Sequence, residues 1–112
     1  MPYDNELATR VRTYLSNYKN LGVEEKNMFG GRAFMVNGKM CVNVSGKNLM
    51  CRFDPALNDA LSKKTGYLPM IMKGKKLEGY CYVEPIGFKN KSDFNSWVET
   101  CLAFNEKAKA SK

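Results

Sequence analysis

The spacing of apolar residues divides the chain into helical and extended segments. Leu7, Val11, Tyr14, Leu15 and Tyr18 recur at the three- and four-residue steps of one helical face, with Arg10, Arg12 and Lys19 off that stripe. Asp4 stands where an N-cap carboxylate accepts from the free N–H groups of a first turn, and Gly22 is the expected stop. From residue 23 to 53 the period falls to two, and turn residues recur every few positions. The pattern predicts strands at 26–29, 33–36, 40–44 and 49–53. Gly30-Gly31 reads as a bend, and Ser45-Gly46-Lys47-Asn48 as a turn. Asn37-Gly38 reads as a type I′ hairpin, which needs positive φ at both central residues. Val42 and Val44 share a face, as do Leu49, Cys51 and Phe53 on the next strand. Asn43 and Arg52 point the other way, so the sheet is expected to have one covered face.

Asp54-Pro55 opens a second helix, with Asp as N-cap and Pro at the first helical position, and Leu57, Ala60 and Leu61 give it a short buried stripe. A strand at 68–72, a turn at 73–76 and a strand at 80–84 follow, the last broken by Pro85 and Gly87. Asn90 or Ser92 caps a final helix whose stripe of Phe94, Trp97, Val98, Cys101 and Leu102 has the clearest periodicity in the chain. Strands joined by hairpins, without helical crossovers, predict an α+β fold. Its order is helix, strand meander, helix, hairpin, helix, with five to six antiparallel strands and three helices packed on one face. A doubly wound parallel sheet is excluded. The expected domain is 1–105, followed by a frayed basic tail at 106–112.

The length of 112 residues suits one core. There is no apolar run long enough to span a bilayer, and the first residues, Met-Pro-Tyr-Asp-Asn-Glu, are polar and acidic where a signal peptide is basic and then apolar. A cytoplasmic protein without a membrane partner is therefore expected. Cys41, Cys51, Cys81 and Cys101 are spread widely in apolar contexts and form no C-x-x-C pair, so reduced, buried thiols are expected. With no histidine either, neither a metal site nor a cofactor site is expected. The missing histidine also removes the usual general base near neutral pH. Asp54 and Asp59 fall on opposite faces of their helix and make no dyad, so no catalytic residue is assigned and a non-enzyme is expected.

Net charge is +7, which favours anionic partners without specifying one. The candidate anion or nucleic-acid contacts are Arg32, Lys63, Lys64, Lys73, Lys75 and Lys76. Two lysine-bearing turns could converge on one end of the sheet and meet phosphates, although a solvated basic rim is the simpler reading. Gly30-Gly31 lacks the Lys-Ser/Thr or third glycine of a phosphate loop, and a strand follows it, so a structural bend is favoured. Met28, Met35, Met40, Met50, Met70 and Met72 alternate on strands, as core fillers or as an adaptable partner groove. An uncovered face or edge would make a homodimer the expected remedy.

The string Met28-Phe29-Gly30-Gly31-Arg32-Ala33-Phe34-Met35-Val36-Asn37-Gly38 resembles the signature of the TfoX N-terminal domain family. Leu49-Met50-Cys51-Arg52, Pro69-Met70 with Gly74, Gly79-Tyr80-Cys81-Tyr82-Val83 and Trp97-Val98 with Leu102-Ala103-Phe104 extend the likeness over nearly the whole chain. The resemblance implies an α+β fold in a secretion-chaperone-like arrangement and brings no catalytic residues. Its named member regulates competence for DNA uptake. A regulatory or adaptor module acting through another protein, or through its own second copy, is therefore expected. A small basic nucleic-acid-binding protein using Lys63, Lys64, Lys73, Lys75 and Lys76 is the alternative.

Overall fold

In a computed structural model of the chain, residues 3–18, 22–28 and 30–106 are described. Helix α1 spans Asn5–Leu15, and the Asp4 carboxylate caps it by accepting from the Glu6 and Leu7 N–H groups at 2.8 and 3.2 Å. The helix stops well before Gly22. The Ser16 hydroxyl donates to the Thr13 carbonyl at 2.6 Å, a local bond that competes with further helical turns. Gly22 instead flanks the hairpin turn, its N–H donating to Asn37 Oδ1 and its carbonyl accepting from the Asn37 N–H.

Six strands follow: β1 Val23–Met28, β2 Gly31–Val36, β3 Lys39–Ser45, β4 Asn48–Arg52, β5 Tyr67–Met72 and β6 Lys75–Val83. They form one antiparallel sheet in the order β1-β2-β3-β4-β6-β5, the α+β fold expected from the hairpin pattern. Asn37 (φ 54°) and Gly38 (φ 79°) make the predicted hairpin turn. Lys73 (φ 52°) and Gly74 (φ 77°) make a second one of the same kind, so β6 starts at Lys75, five residues earlier than the sequence pattern places it. Phe29 of the signature string, Lys19 and residues 107–112 of the expected tail lie outside the described residues.

Between β4 and β5, Asp54 caps a 3-10 turn, Pro55–Leu57, by accepting from the Ala56 N–H, and helix α2 spans only Asn58–Ser62. The tighter turn rotates Leu57 out of the predicted stripe. It is 42% exposed and Ala60 is exposed, while Asn58 and Leu61 are buried. A second 3-10 turn, Pro85–Gly87, leads to helix α3, Lys91–Asn105, which Asn90 caps by accepting from the Asp93 N–H. The main core lies between these helices and one sheet face. It joins Leu7, Val11 and Leu15 to Phe34, Val42, Val44, Leu49 and Phe53, and to Phe94, Trp97, Val98 and Cys101.

The expectation of one covered face is overturned. Ala33, Met35, Met40, Met50 and Met70 are buried together on the opposite face, with Met28, Leu77, Tyr80 and Tyr82 packed around them. Met28 belongs to one edge strand and Met70 to the other, so the sheet must coil for them to share a cluster. Its register shifts, between Phe34 and Met35 and between Pro69 and Ile71, supply added twist. Met35, Met40, Met50 and Met70 are core fillers, unbranched chains that fit the irregular space inside a coiled sheet, and the Met72 side chain lies outside what is described.

Asn43, expected on an open face, is 0% exposed. Its Nδ2 donates to the Met28 carbonyl at 3.0 Å, reaching from β3 past β2 to the end of β1. Gly31 makes this possible. A Cβ at Gly31 would overlap the Val44 carbonyl oxygen and crowd Asn43 Oδ1. Gly31→Ala is therefore expected to cost at least about 2 kcal/mol in urea unfolding. Gly38→Ala, where a Cβ meets nothing within 4 Å and only the positive φ is penalised, should cost about 1 kcal/mol. Equal costs would contradict this role for Gly31.

Candidate interaction surfaces

The basic residues singled out in the sequence do not form one patch. Arg32 lies on β2, where its Nε meets Glu25 Oε1 at 3.1 Å and its Nη1 donates to Asn27 Oδ1 at 3.1 Å. Glu25 also receives both arms of the Arg12 guanidinium from α1, each at 2.7 Å. The Arg12 bond, aided by Arg32, holds the Glu25 carboxyl down to about 2. Arg32 is thus engaged in fastening α1 to the sheet.

Lys63 and Lys64 follow α2, at the start of β5. Lys64 is half-buried: its Nζ donates to Ser96 Oγ at 3.3 Å and sits 4.9 Å from the centre of the Trp97 ring, whose Nε1 donates to the Gly87 carbonyl. Lys73, Lys75 and Lys76 are exposed at the β5–β6 hairpin tip, at the far end of β5. Six strand residues separate the two groups, on the order of 20 Å. A convergent phosphate grip of all five lysines is not the arrangement found.

The β5 edge has a different character. Leu68 and Ile71 are 37% and 56% exposed there, a feature that periodicity could not reveal because both were assigned to a strand with no known neighbour. The opposite edge strand, β1, carries Glu24, Glu25, Lys26 and Asn27, the charged composition that discourages edge pairing. Pro69 removes one N–H from β5 and limits continuous strand addition, so side-chain contacts dominate what this edge offers.

Two other features bear on chemistry. All four cysteines are free and buried. Cys51 and Cys81 are cross-strand partners, and the Cys51 thiol bonds those of Cys101 and Cys81. These bonds and full burial push it well above the ordinary thiol range, which suppresses the reactive thiolate. Among the described residues, no group of three or more Cys, Asp or Glu has a metal-holding arrangement, and no helix is long and apolar enough to cross a membrane. An open groove of about 420 Å³ runs between α1 and α3, past Arg10, Tyr14, Lys91 and Phe94.

The ion-pair triad gives a pH signature. Glu25 has a folded value of about 2 against 4.5 ordinarily, so its contribution to stability is present above pH 4.5 and is lost as pH falls towards 2. The stability gap between the parent chain and Glu25→Gln should be open at pH 7, close on acidification through that window, and shrink in high salt. Urea unfolding of both proteins across the pH range checks it, and a gap that persists at pH 2 would contradict it.

The family model for the TfoX N-terminal domain matches residues 14–105. No curated protein and no solved structure shows significant similarity to the chain.

Proposed function

The chain belongs to the TfoX N-terminal domain family, and from that premise we propose that it is a non-enzymatic, cytoplasmic regulatory or adaptor domain that works by holding another protein or a second copy of itself. The observation that carries this reading is the β5 edge, a free strand with Leu68 and Ile71 exposed beside Lys73, Lys75 and Lys76. Apolar anchors next to a basic rim suit a partner face that is apolar at its centre and acidic around it. Regulation of competence or transcription, the role of the family's named member, would then be exerted through protein contact. The split of the lysines between the two ends of β5 tells against the nucleic-acid alternative.

Light scattering and affinity capture, run on the parent chain and on Ile71→Asp, test the proposal. The parent is expected either to exceed its monomer mass of 12.7 kDa or to retain a discrete partner. Ile71→Asp should lose that association with its unfolding free energy changed by less than about 0.5 kcal/mol, because the position is exposed. A monomeric parent without a partner, or association that Ile71→Asp leaves intact, would overturn the assignment. Fluorescence anisotropy with duplex and single-stranded DNA at low salt should stay flat, and saturable, salt-sensitive binding would favour the alternative.

A further inference from the structure

Arg10 is the described arginine least accounted for by the fold. It projects from α1 into the space beside α3, where its guanidinium carbon lies 4.2 Å from the centre of the Phe94 ring and 5.8 Å from that of Phe88. One of its five donors is used: Nη2 donates to the Phe88 carbonyl at 3.2 Å. Among the described residues it has no carboxylate partner, whereas Arg12 and Arg32 share Glu25. A guanidinium held over an aromatic ring spends no N–H group on that contact, which leaves the others available to an anion.

The groove it faces is built to match. Thr9 and Thr13 stand one helical turn apart on α1, Asn17 lies in the turn just past its end, and Lys91 and Asn95 stand one turn apart on α3. Tyr14 and Phe94 meet edge to face, 6.2 Å apart, and give the groove aromatic surface. Burial and the Tyr18 hydroxyl push the Tyr14 phenol up, so it stays neutral. Two cations line the groove and no acid does; Glu99, which reaches the Tyr14 hydroxyl, is not a lining residue. The hollow on the other side of Arg10 differs, since Asp4 and Glu6 line it and balance Lys47. At about 420 Å³ the α1–α3 groove falls within the size range of small-molecule sites.

We propose that this groove binds a small organic anion, a phosphate or carboxylate head held between Arg10 and Lys91 with an aromatic body laid against Tyr14, above the buried Phe94 that seats Arg10. The site is separate from the β5 edge and stands or falls independently of the partner-holding function. Hydroxyl and amide groups of Thr9, Thr13, Asn17 and Asn95 supply further hydrogen bonds along its walls.

The test is a titration of the full chain followed by amide NMR shifts, using phenyl phosphate, benzoate, inorganic phosphate and uncharged benzyl alcohol. Phenyl phosphate or benzoate should bind saturably, with a dissociation constant on the order of 1 mM, and move the amides of Thr13, Asn17, Lys91 and Asn95. Their relative affinity distinguishes a phosphorylated from a carboxylated natural ligand. Inorganic phosphate and benzyl alcohol should each bind at least about tenfold more weakly. Lys91→Glu should weaken the better ligand about tenfold while leaving the fold intact, because Lys91 is exposed and an acid is well tolerated in the first turn of a helix. Arg10→Gln should weaken it at least as much, with the unfolding midpoint measured alongside. No saturable shift by about 10 mM, shifts confined to other surfaces, inorganic phosphate equal to phenyl phosphate, or full affinity in Lys91→Glu would each overturn the site.

Discussion

Asn43 reaches past Gly31 to the Met28 carbonyl, and the coiled sheet is organised around that contact. A sheet flanked by helices on one side ordinarily leaves its other face to water. Here the other face holds a second core of Ala33, Met35, Met40, Met50 and Met70, closed in part by Met28 from β1. That closure requires β1 to stay close across the end of β2. A buried amide donating to a carbonyl two strands away fixes the distance, and a side chain at Gly31 would deny it room. Burying an amide donor without a partner is costly, so an Asn there favours the geometry in which its Nδ2 is bonded, while its Oδ1 is buried without a partner among the described residues.

The two cores divide the molecule into a closed part and an open part. Both sheet faces carry a buried cluster. What is left is the margin: the β5 edge with Leu68 and Ile71, the lysine-bearing hairpin tip, and the groove where α1 and α3 diverge around Arg10. The cysteines fall on the closed side. Their burial makes them packing groups in the main core, and the raised Cys51 thiol is held away from thiolate chemistry.

Much of this was legible in the residue pattern. Hairpin chemistry at Asn37-Gly38, capping by Asp4 and Asn90, and the Phe94–Trp97–Val98–Cys101 stripe lead to an α+β fold because each is a local rule with a local cause. The coiling was not legible. Alternation places Asn43, Met35 and Met50 on the second face, whereas Met40, in step with Val42 and Val44, reaches it only through the register shift opposite Met35. Whether that face meets water depends on the curvature of the whole sheet, which no local period encodes. Gly22 is not the helix stop: α1 ends at Leu15, and its last turn tightens into i→i−3 bonds, Asn17 N–H to the Tyr14 carbonyl and Tyr18 N–H to the Leu15 carbonyl. The lysines were misleading too. Proximity in sequence suggested one basic end, and the length of β5 separates them. Arg10 carries no site signal in the residue pattern, since it lies off the apolar stripe, and its lack of a carboxylate partner among the described residues is visible only once the helices are placed.

The closed second face is the central claim, and methionine oxidation tests it most directly. Under dilute hydrogen peroxide in native conditions, with sulfoxide formation followed by peptide mass spectrometry, Met35, Met40, Met50 and Met70 should oxidise far more slowly than in the urea-unfolded chain, with Met50, fully buried, among the slowest. Oxidation of Met50 at the same rate in the folded and unfolded chains would mean that the face is open to solvent and would contradict the two-core account.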